Sequence, residues 1–297
     1  MLLEKRIPLS FILHKIRFDL PFVLVFSIAV NLIDTYGLHI KLPIGIPTFL
    51  GTAISLVLSF KLAQSYDRWW EARKIWGAIV NDCRSVVMQL INFTTDGNDS
   101  RNTVQRMAWR QIAWCYTLAR SLRKAEPLQD VSKLLSQKES DTLRAEQNIP
   151  MTLIHFQLDD LKNLHKQKQL NDFQQIQVDS SFVRLVASMG KAERIKNTVF
   201  PKTYRIFLHF FIYVFLFTLS VALADMNSFI EVPLLALISI PFFLLEKTAF
   251  RMQDPFEDQP SDTAMLAISR TIEINIRQLL GETELPEPAS AEKFYLM

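Results

Sequence analysis

Glycine is scarce in this sequence, with seven in 297 residues. So few leave little material for the tight turns of β-hairpins and sandwiches, and none is grouped into a phosphate-cradling loop. Cysteine is scarcer still: only Cys83 and Cys115 occur, with no CxxC spacing, which excludes a disulfide framework and a cysteine zinc site. The five histidines, His14, His39, His155, His165 and His209, are scattered and form no HExxH pattern, so no metal is expected. No GxSxG, P-loop or dinucleotide fingerprint appears, and Asp159 and Asp160, adjacent on a helix, would diverge rather than pair. No catalytic residue or cofactor is therefore expected. The net charge is only +3 and lacks a basic run, which argues against a nucleic-acid partner.

What the chain has is apolar length. Apolar residues make up 49% against 21% charged, and the mean hydropathy is +0.13, a balance that suits membrane spans joined to a water-exposed part. Four apolar segments stand out, at roughly 20–38, 44–63, 206–224 and 228–246. About 20 residues cross a hydrocarbon core, so the third qualifies outright, while the others need their ends in the headgroup region or inside a bundle. The first is read as a retained span rather than a cleaved signal. It lacks a small-residue cleavage site, and Asn31 and Asp34 fall where one would be.

Basic residues set the orientation. Lys5, Arg6, Lys15 and Arg17 precede the first span; Arg68, Arg73, Lys74 and Arg84 follow the second; Lys247 and Arg251 follow the fourth. The intervening loops carry only Lys41. Both termini and the long middle segment are thus expected on the cytoplasmic side. The outer loops hold Asp34, Asp225 and Glu231 against Lys41, an acidic balance that would concentrate cations if it faced a pore.

The organisation expected is a first membrane hairpin within 1–77, a helical cytoplasmic region over 78–200, a second hairpin over 201–250 and a cytoplasmic C-terminal segment over 251–297. In the cytoplasmic part Val104, Met107, Ala108, Ile112, Cys115, Leu118, Ala119 and Leu122 recur at three- and four-residue spacing, as on an amphipathic helix. Leu153, Phe156, Leu158, Leu161 and Leu164 supply a second stripe, with Pro127 and Pro150 as punctuation. No strand-like alternation or internal repeat occurs, so the fold class is all-α. The segment from Gly281 to the C-terminus is read as wrapping over a neighbour or as mobile.

On the second span Thr48, Thr52, Leu56, Phe60 and Gln64 form one stripe, and Gly51, Ser55 and Ser59 a small-residue face beside it. If several copies ringed an axis, Leu56 and Phe60 would stack as apolar collars able to gate by dewetting. Periodicity alone favours plain packing of Leu56 and Phe60 against other spans. Directly after the span comes SYDRWWEARKIWG (65–77), three tryptophans among five charged residues, a mixture suited to a helix leaving a bilayer. Asp67 and Glu71, four apart, repel each other unless Arg68 or Arg73 intervenes. The motif is read as a rigid junction rather than an ion site.

Residues 56–77, LVLSFKLAQSYDRWWEARKIWG, resemble the signature region of the bestrophin family. KAERIKNTVFPKTY (191–204) is similar to the segment that enters that family's third span, and DPFEDQPSD (254–262) to its acidic segment after the fourth. The resemblance implies a four-span homopentamer around one central pore, in the inner membrane of a bacterium, its partners being copies of itself, membrane lipid and the permeating ions. By position it implies a pore neck of Thr52, Leu56 and Phe60, with Thr52 departing from the large apolar group usual there. It also implies a junction of Asp67, Arg68, Trp69, Trp70 and Glu71 below the neck, and a lower cytoplasmic constriction at Phe173, with Ile176 beside it. Calcium-activated relatives hold that ion near the third motif; here Gln259 and Arg251 replace expected ligands and only Asp262 fits, so no calcium clasp is expected. The implied function is passive conduction of chloride or another small anion. A monovalent-cation channel of the same architecture and a non-conducting scaffold remain the alternatives.

Overall fold

After Pro47 no proline occurs until Pro127, and across that stretch the apolar run of the second span passes directly into strong helix formers. The result is one continuous helix, α3 (Gly45–Phe93), of 49 residues. At 1.5 Å per residue it is about 74 Å long, more than twice a hydrocarbon core. The structure, a computed structural model, describes residues 8–36, 41–95, 97–199, 201–291 and 295–296. Lys5, Arg6, His39, Phe200 and the last positions of the first expected span, Gly37 and Leu38, lie outside the described residues.

The described residues are predominantly helical, without a β-strand. Besides α3 the helices are α1 (Leu9–Lys15), α2 (Asp19–Thr35), α4 (Asn98–Leu122), α5 (Gln137–Arg144), α6 (Ile149–Lys166), α7 (Asp172–Asn197), α8 (Lys202–Leu223), α9 (Ser228–Gln253) and α10 (Met265–Leu279). They fall into two compact units, one of Glu4–Trp69 with Val199–Asp254, the other built mainly from Trp70–Thr198 and Pro255–Met297. The division passes between Trp69 and Trp70, inside the aromatic and charged motif, so α3 contributes to both units.

In the first unit α2, α8 and α9 pack on one another. Val23, Ile54, Leu58, Ile212, Leu216, Leu235 and Phe243 form its core. Among the described residues three helices are long and apolar enough to cross a membrane: α3, α8 and α9. Only 28%, 33% and 22% of their most apolar windows is buried inside the chain, so most of that surface needs lipid or other protein against it. The first expected span is shorter, a 17-residue α2 at the lower limit for crossing.

The second unit is a water-type helical domain with its own core. All eight apolar positions expected on one face of α4 are buried there. On α6, Leu153, Leu161 and Leu164 are buried and Phe156 and Leu158 pack against them. Local chemistry sets the helix ends. Ser136 with Glu139, and Asn171 with Gln174, form capping boxes for α5 and α7. Asn148 accepts the Met151 N–H with Pro150 in the first turn of α6. α10 ends at Gly281, whose φ of +78° lets its N–H reach the Gln278 carbonyl and the next N–H reach that of Arg277, both at 3.0 Å.

Candidate pore-lining face

Thr52, Leu56 and Phe60 lie on a face of α3 that no other described residue covers; Leu56 is 58% exposed and Phe60 62%. The opposite face, with Ile54 and Leu58, is buried in the core of the first unit. Thr52 donates its hydroxyl hydrogen to the Thr48 carbonyl at 2.8 Å, and Thr48 does the same to Ile44, so the polar upper part of the stripe is bonded within its own helix. The small-residue face divides. Gly51 is buried against α8, where an added Cβ would come 2.8 Å from the Phe215 ring, whereas Ser55 and Ser59 stay exposed. Those two serines border an open groove of about 350 Å³ shared with Pro241 and Phe242 of α9.

In the junction motif Asp67 is exposed and Arg68 lies 3.8 Å from Asp254, the first residue of the third motif. Glu71 pairs with Lys74 at 3.1 Å, three residues on, where the sequence pointed to Arg68 or Arg73. Tyr66 and Trp69 stack with ring centroids 5.9 Å apart, Trp70 is half exposed and Trp76 is fully buried. Phe173 and Ile176 sit in the first two turns of α7, 86% and 66% exposed, again uncovered among the described residues. The structure thus leaves the neck stripe and both candidates for the lower constriction open to a partner. It does not bring the two sets together in one unit.

The second and third motifs meet in the second unit. Lys196 Nζ lies 2.7 Å from Glu257 Oε1 and donates to the Phe256 carbonyl at 3.4 Å. Asp262 is buried, its Oδ2 accepting the backbone N–H of Glu257 at 2.7 Å and of Gln259 at 3.1 Å. Burial pushes this carboxyl up to about 6, against the opposing pull of the two amides and of Arg123. The Arg123 guanidinium, itself buried, reaches Asp258 at 2.8 Å.

A family profile described as Bacterial/Fungal Bestrophin protein matches residues 6–278. The chain belongs to the bestrophin family. A crystal structure of a bacterial bestrophin homologue from Klebsiella pneumoniae superposes with a TM-score of 0.84 at 25% identity, covering 91% of this chain and all of that one. Among curated relatives, the voltage-dependent anion channel-forming protein YneE of Escherichia coli K12 is 29% identical over 290 residues, 96% of this chain and 93% of its own. A voltage-dependent anion channel-forming protein of Ralstonia nicotianae is 28% identical over 252 residues, 84% of this chain and 81% of its own. An all-helical integral membrane protein of the bestrophin fold is thereby established.

For this bestrophin the third motif does not fit a calcium clasp. A hard dication wants six or more oxygen ligands. Here one oxygen of Asp262 is already engaged by two amides, and the positive charge facing Asp258 and Asp262 is a guanidinium of the chain itself. Among the described residues no three His, Cys, Asp or Glu side chains are placed to hold a metal.

Three buried polar sites in the bestrophin's membrane unit escaped the sequence reading. Glu231, assigned to the outer loops, is instead fully buried in the first turn of α9. It accepts from Asn31 Nδ2 and Ser220 Oγ, each at 2.9 Å, and from Ser27 Oγ at 3.5 Å. The acidic outer balance shrinks further because Asp225 pairs with Lys41 at 3.5 Å. Lys61, one residue after the neck stripe, is 1% exposed and donates to Gln253 Oε1 at 2.5 Å, beneath the rings of Phe250 and Tyr204. His209 of α8 faces a carboxylate with each ring nitrogen, Glu246 at 3.2 Å and Asp19 at 3.5 Å, while Asp19 also takes Tyr213 and Lys247. The available signal was an ionisable group inside an apolar run, which in a membrane implies a named partner.

Proposed function

We propose that this chain is one subunit of a homopentameric ion channel that conducts small monovalent anions passively, with α3 of each subunit lining a narrow apolar neck of Thr52, Leu56 and Phe60. The observation that carries this reading is the neck stripe itself. One face of α3 is packed into the subunit and the other leaves two large apolar side chains uncovered among the described residues. Exposed apolar groups at four-residue spacing need a partner, and copies of the same helix around an axis supply one. The open groove beside Ser55 and Ser59 suits a neighbouring subunit. Phe173 and Ile176 form the lower constriction in the same assembly, and Asp67 to Glu71 a rigid junction between them.

The anion preference is supported by the relatives' description as anion channel-forming proteins. Burial of Glu231 and the pairing of Asp225 remove two acids from the outer charge balance and so weaken the cation reading. The protein sits in a bacterial inner membrane with both termini cytoplasmic, its hairpins within 1–77 and 201–250 crossing as four spans. Lipid and its own copies are its partners, and neither a cofactor nor nucleic acid takes part.

The decisive experiment is the reversal potential of purified protein in a planar bilayer under an asymmetric KCl gradient. A reversal near the chloride equilibrium potential is expected. One near the potassium potential would make it a cation channel, and silence from an intact pentamer would leave the scaffold reading.

A further inference from the structure

One end of the membrane unit gathers cations that have no carboxylate of their own. Lys247 of α9 donates to the Lys15 carbonyl at the end of α1, at 2.6 Å, which places Arg251, one turn further along α9, beside Lys15. Of the nearby acids, Asp19 is engaged by Lys247, Tyr213 and His209, and Glu246 by His209 through Oε1, while its Oε2 is buried without a hydrogen-bond partner among the described residues. Among the described residues Lys15, Arg17, Arg205 and Arg251 form no ion pair with an acid. Their contacts are with rings: Lys15 over Phe11 at 5.0 Å, Arg17 over Phe18 at 4.6 Å and Arg205 over Phe250 at 5.1 Å, besides Arg17 on His14 at 3.4 Å.

Two like charges held together and partly desolvated repel each other, and burial together with Arg251 pushes the Lys15 ammonium down from its ordinary range. Close to Lys15 in sequence, Leu13, Phe18 and Phe22 are exposed, Phe18 at 73%. A cationic pair bordered by open apolar and aromatic surface, at one end of membrane-crossing helices, has the chemistry of an amphiphile with an anionic head.

We infer that Lys15 and Arg251 together hold the phosphate of an anionic membrane phospholipid, whose acyl chains lie along the exposed Leu13, Phe18 and Phe22. A phosphate between the two cations replaces their repulsion by two charge-assisted contacts. Its bond to the bilayer then fixes the α1–α9 corner of each subunit. The inference rests on the membrane reading above but not on which ion passes.

The test is native mass spectrometry of the full chain in detergent, titrated with phosphatidylglycerol or phosphatidylcholine of identical acyl chains. Wild type is expected to retain the anionic lipid over the zwitterionic one. Each of Lys15→Gln and Arg251→Gln should lower that preference about fivefold, the contribution of one cation near a charged headgroup. The paired exchange Lys15→Arg with Arg251→Lys should keep most of it. Equal retention of both lipids by wild type, or an undiminished preference in both glutamine variants, would overturn the site. Carbonate extraction of the membranes separates the two premises: protein released by carbonate sinks the membrane reading, whereas embedded protein without lipid preference sinks only the phosphate site.

Discussion

Glu231 of α9 is fully buried, and its carboxylate receives the side-chain amide of Asn31 from α2, 200 positions earlier, at 2.9 Å. The Ser228 hydroxyl donates to the other end of that amide at 2.6 Å, which fixes its orientation. With Ser220 and Ser27 added, one acid ties α2, α8 and α9 together using neutral donors. A polar group inside the bilayer is expensive unless it is bonded in this way. Glu231→Ala removes the acceptor for three donors at once, and should lower stability by roughly 1–3 kcal/mol per donor left unpaired. Glu231→Gln, which keeps one acceptor oxygen, should cost less than half as much. Thermal unfolding of both variants in detergent checks the order; an alanine variant as stable as wild type would show that the network contributes nothing.

Why this network was invisible in the sequence is instructive. The eight apolar positions of α4 could be placed from spacing alone, because a water-facing helix advertises its buried face by contrast with its polar one. The stripe of Thr52, Leu56 and Phe60 could be placed on one face by its four-residue spacing, whereas its reading as a pore neck rests on the family resemblance. Inside a membrane the contrast disappears, since lipid and core are equally apolar. Glu231 therefore read as a loop residue beside Asn227 and Ser228, and its burial depends on Ser27 and Asn31, which only the tertiary fold brings near. Lys61 likewise falls inside the second apolar segment, and its partner Gln253 lies 192 positions away. The length of α3 was implicit in the absence of proline after Pro47, but the sharp compositional change at Ser65 drew the eye away from it.

The collar residues make a sharp test of the pore. Leu56→Ala and Phe60→Ala widen an apolar constriction and favour its wetting, so single-channel conductance should rise by roughly two- to tenfold, with the double variant highest. Thr52→Leu should act in the opposite direction, because it adds a third apolar ring. A scaffold would show no current in any of these forms. Paired recordings from wild type and the four variants in identical bilayers decide the matter.

Arg110 of α4 is 4% exposed and lies between two acids, Glu139 at 2.5 Å and Asp160 at 2.8 Å, with Arg106 supporting Asp160 at 2.7 Å. Removing one partner of a buried ion cluster leaves the others uncompensated, so Arg110→Ala should destabilise the second unit by about 3–5 kcal/mol. Burial resists ionisation of Glu139, but the Ser136 amide and hydroxyl and Arg110 outweigh it and hold the carboxyl below its ordinary range. A depressed carboxyl contributes stability that is present above its unfolded value and lost as pH falls through its folded one. Acid unfolding should therefore begin at higher pH in the Arg110→Ala variant than in wild type, which a pH series of thermal midpoints reads directly.

Asp262 runs the other way. Its carboxyl stands near 6 in the folded chain and 3.8 unfolded, so between those values the folded state holds a proton that the unfolded state has released. Stability from this residue therefore rises as pH falls from about 6 toward about 4, and declines as pH rises back through 6. Asp262→Asn cannot titrate and should flatten that part of the profile while leaving the Arg110 region unchanged. Hydrogen exchange of the 254–263 loop is the local readout: protection in wild type should increase on acidification from pH 7 to 5, and the asparagine variant should show no such step. Because Arg123 already supplies the positive charge beside Asp258 and Asp262, millimolar calcium at pH 7 should alter neither protection nor thermal midpoint. A calcium-induced rise in either would show that the guanidinium yields its place to the ion.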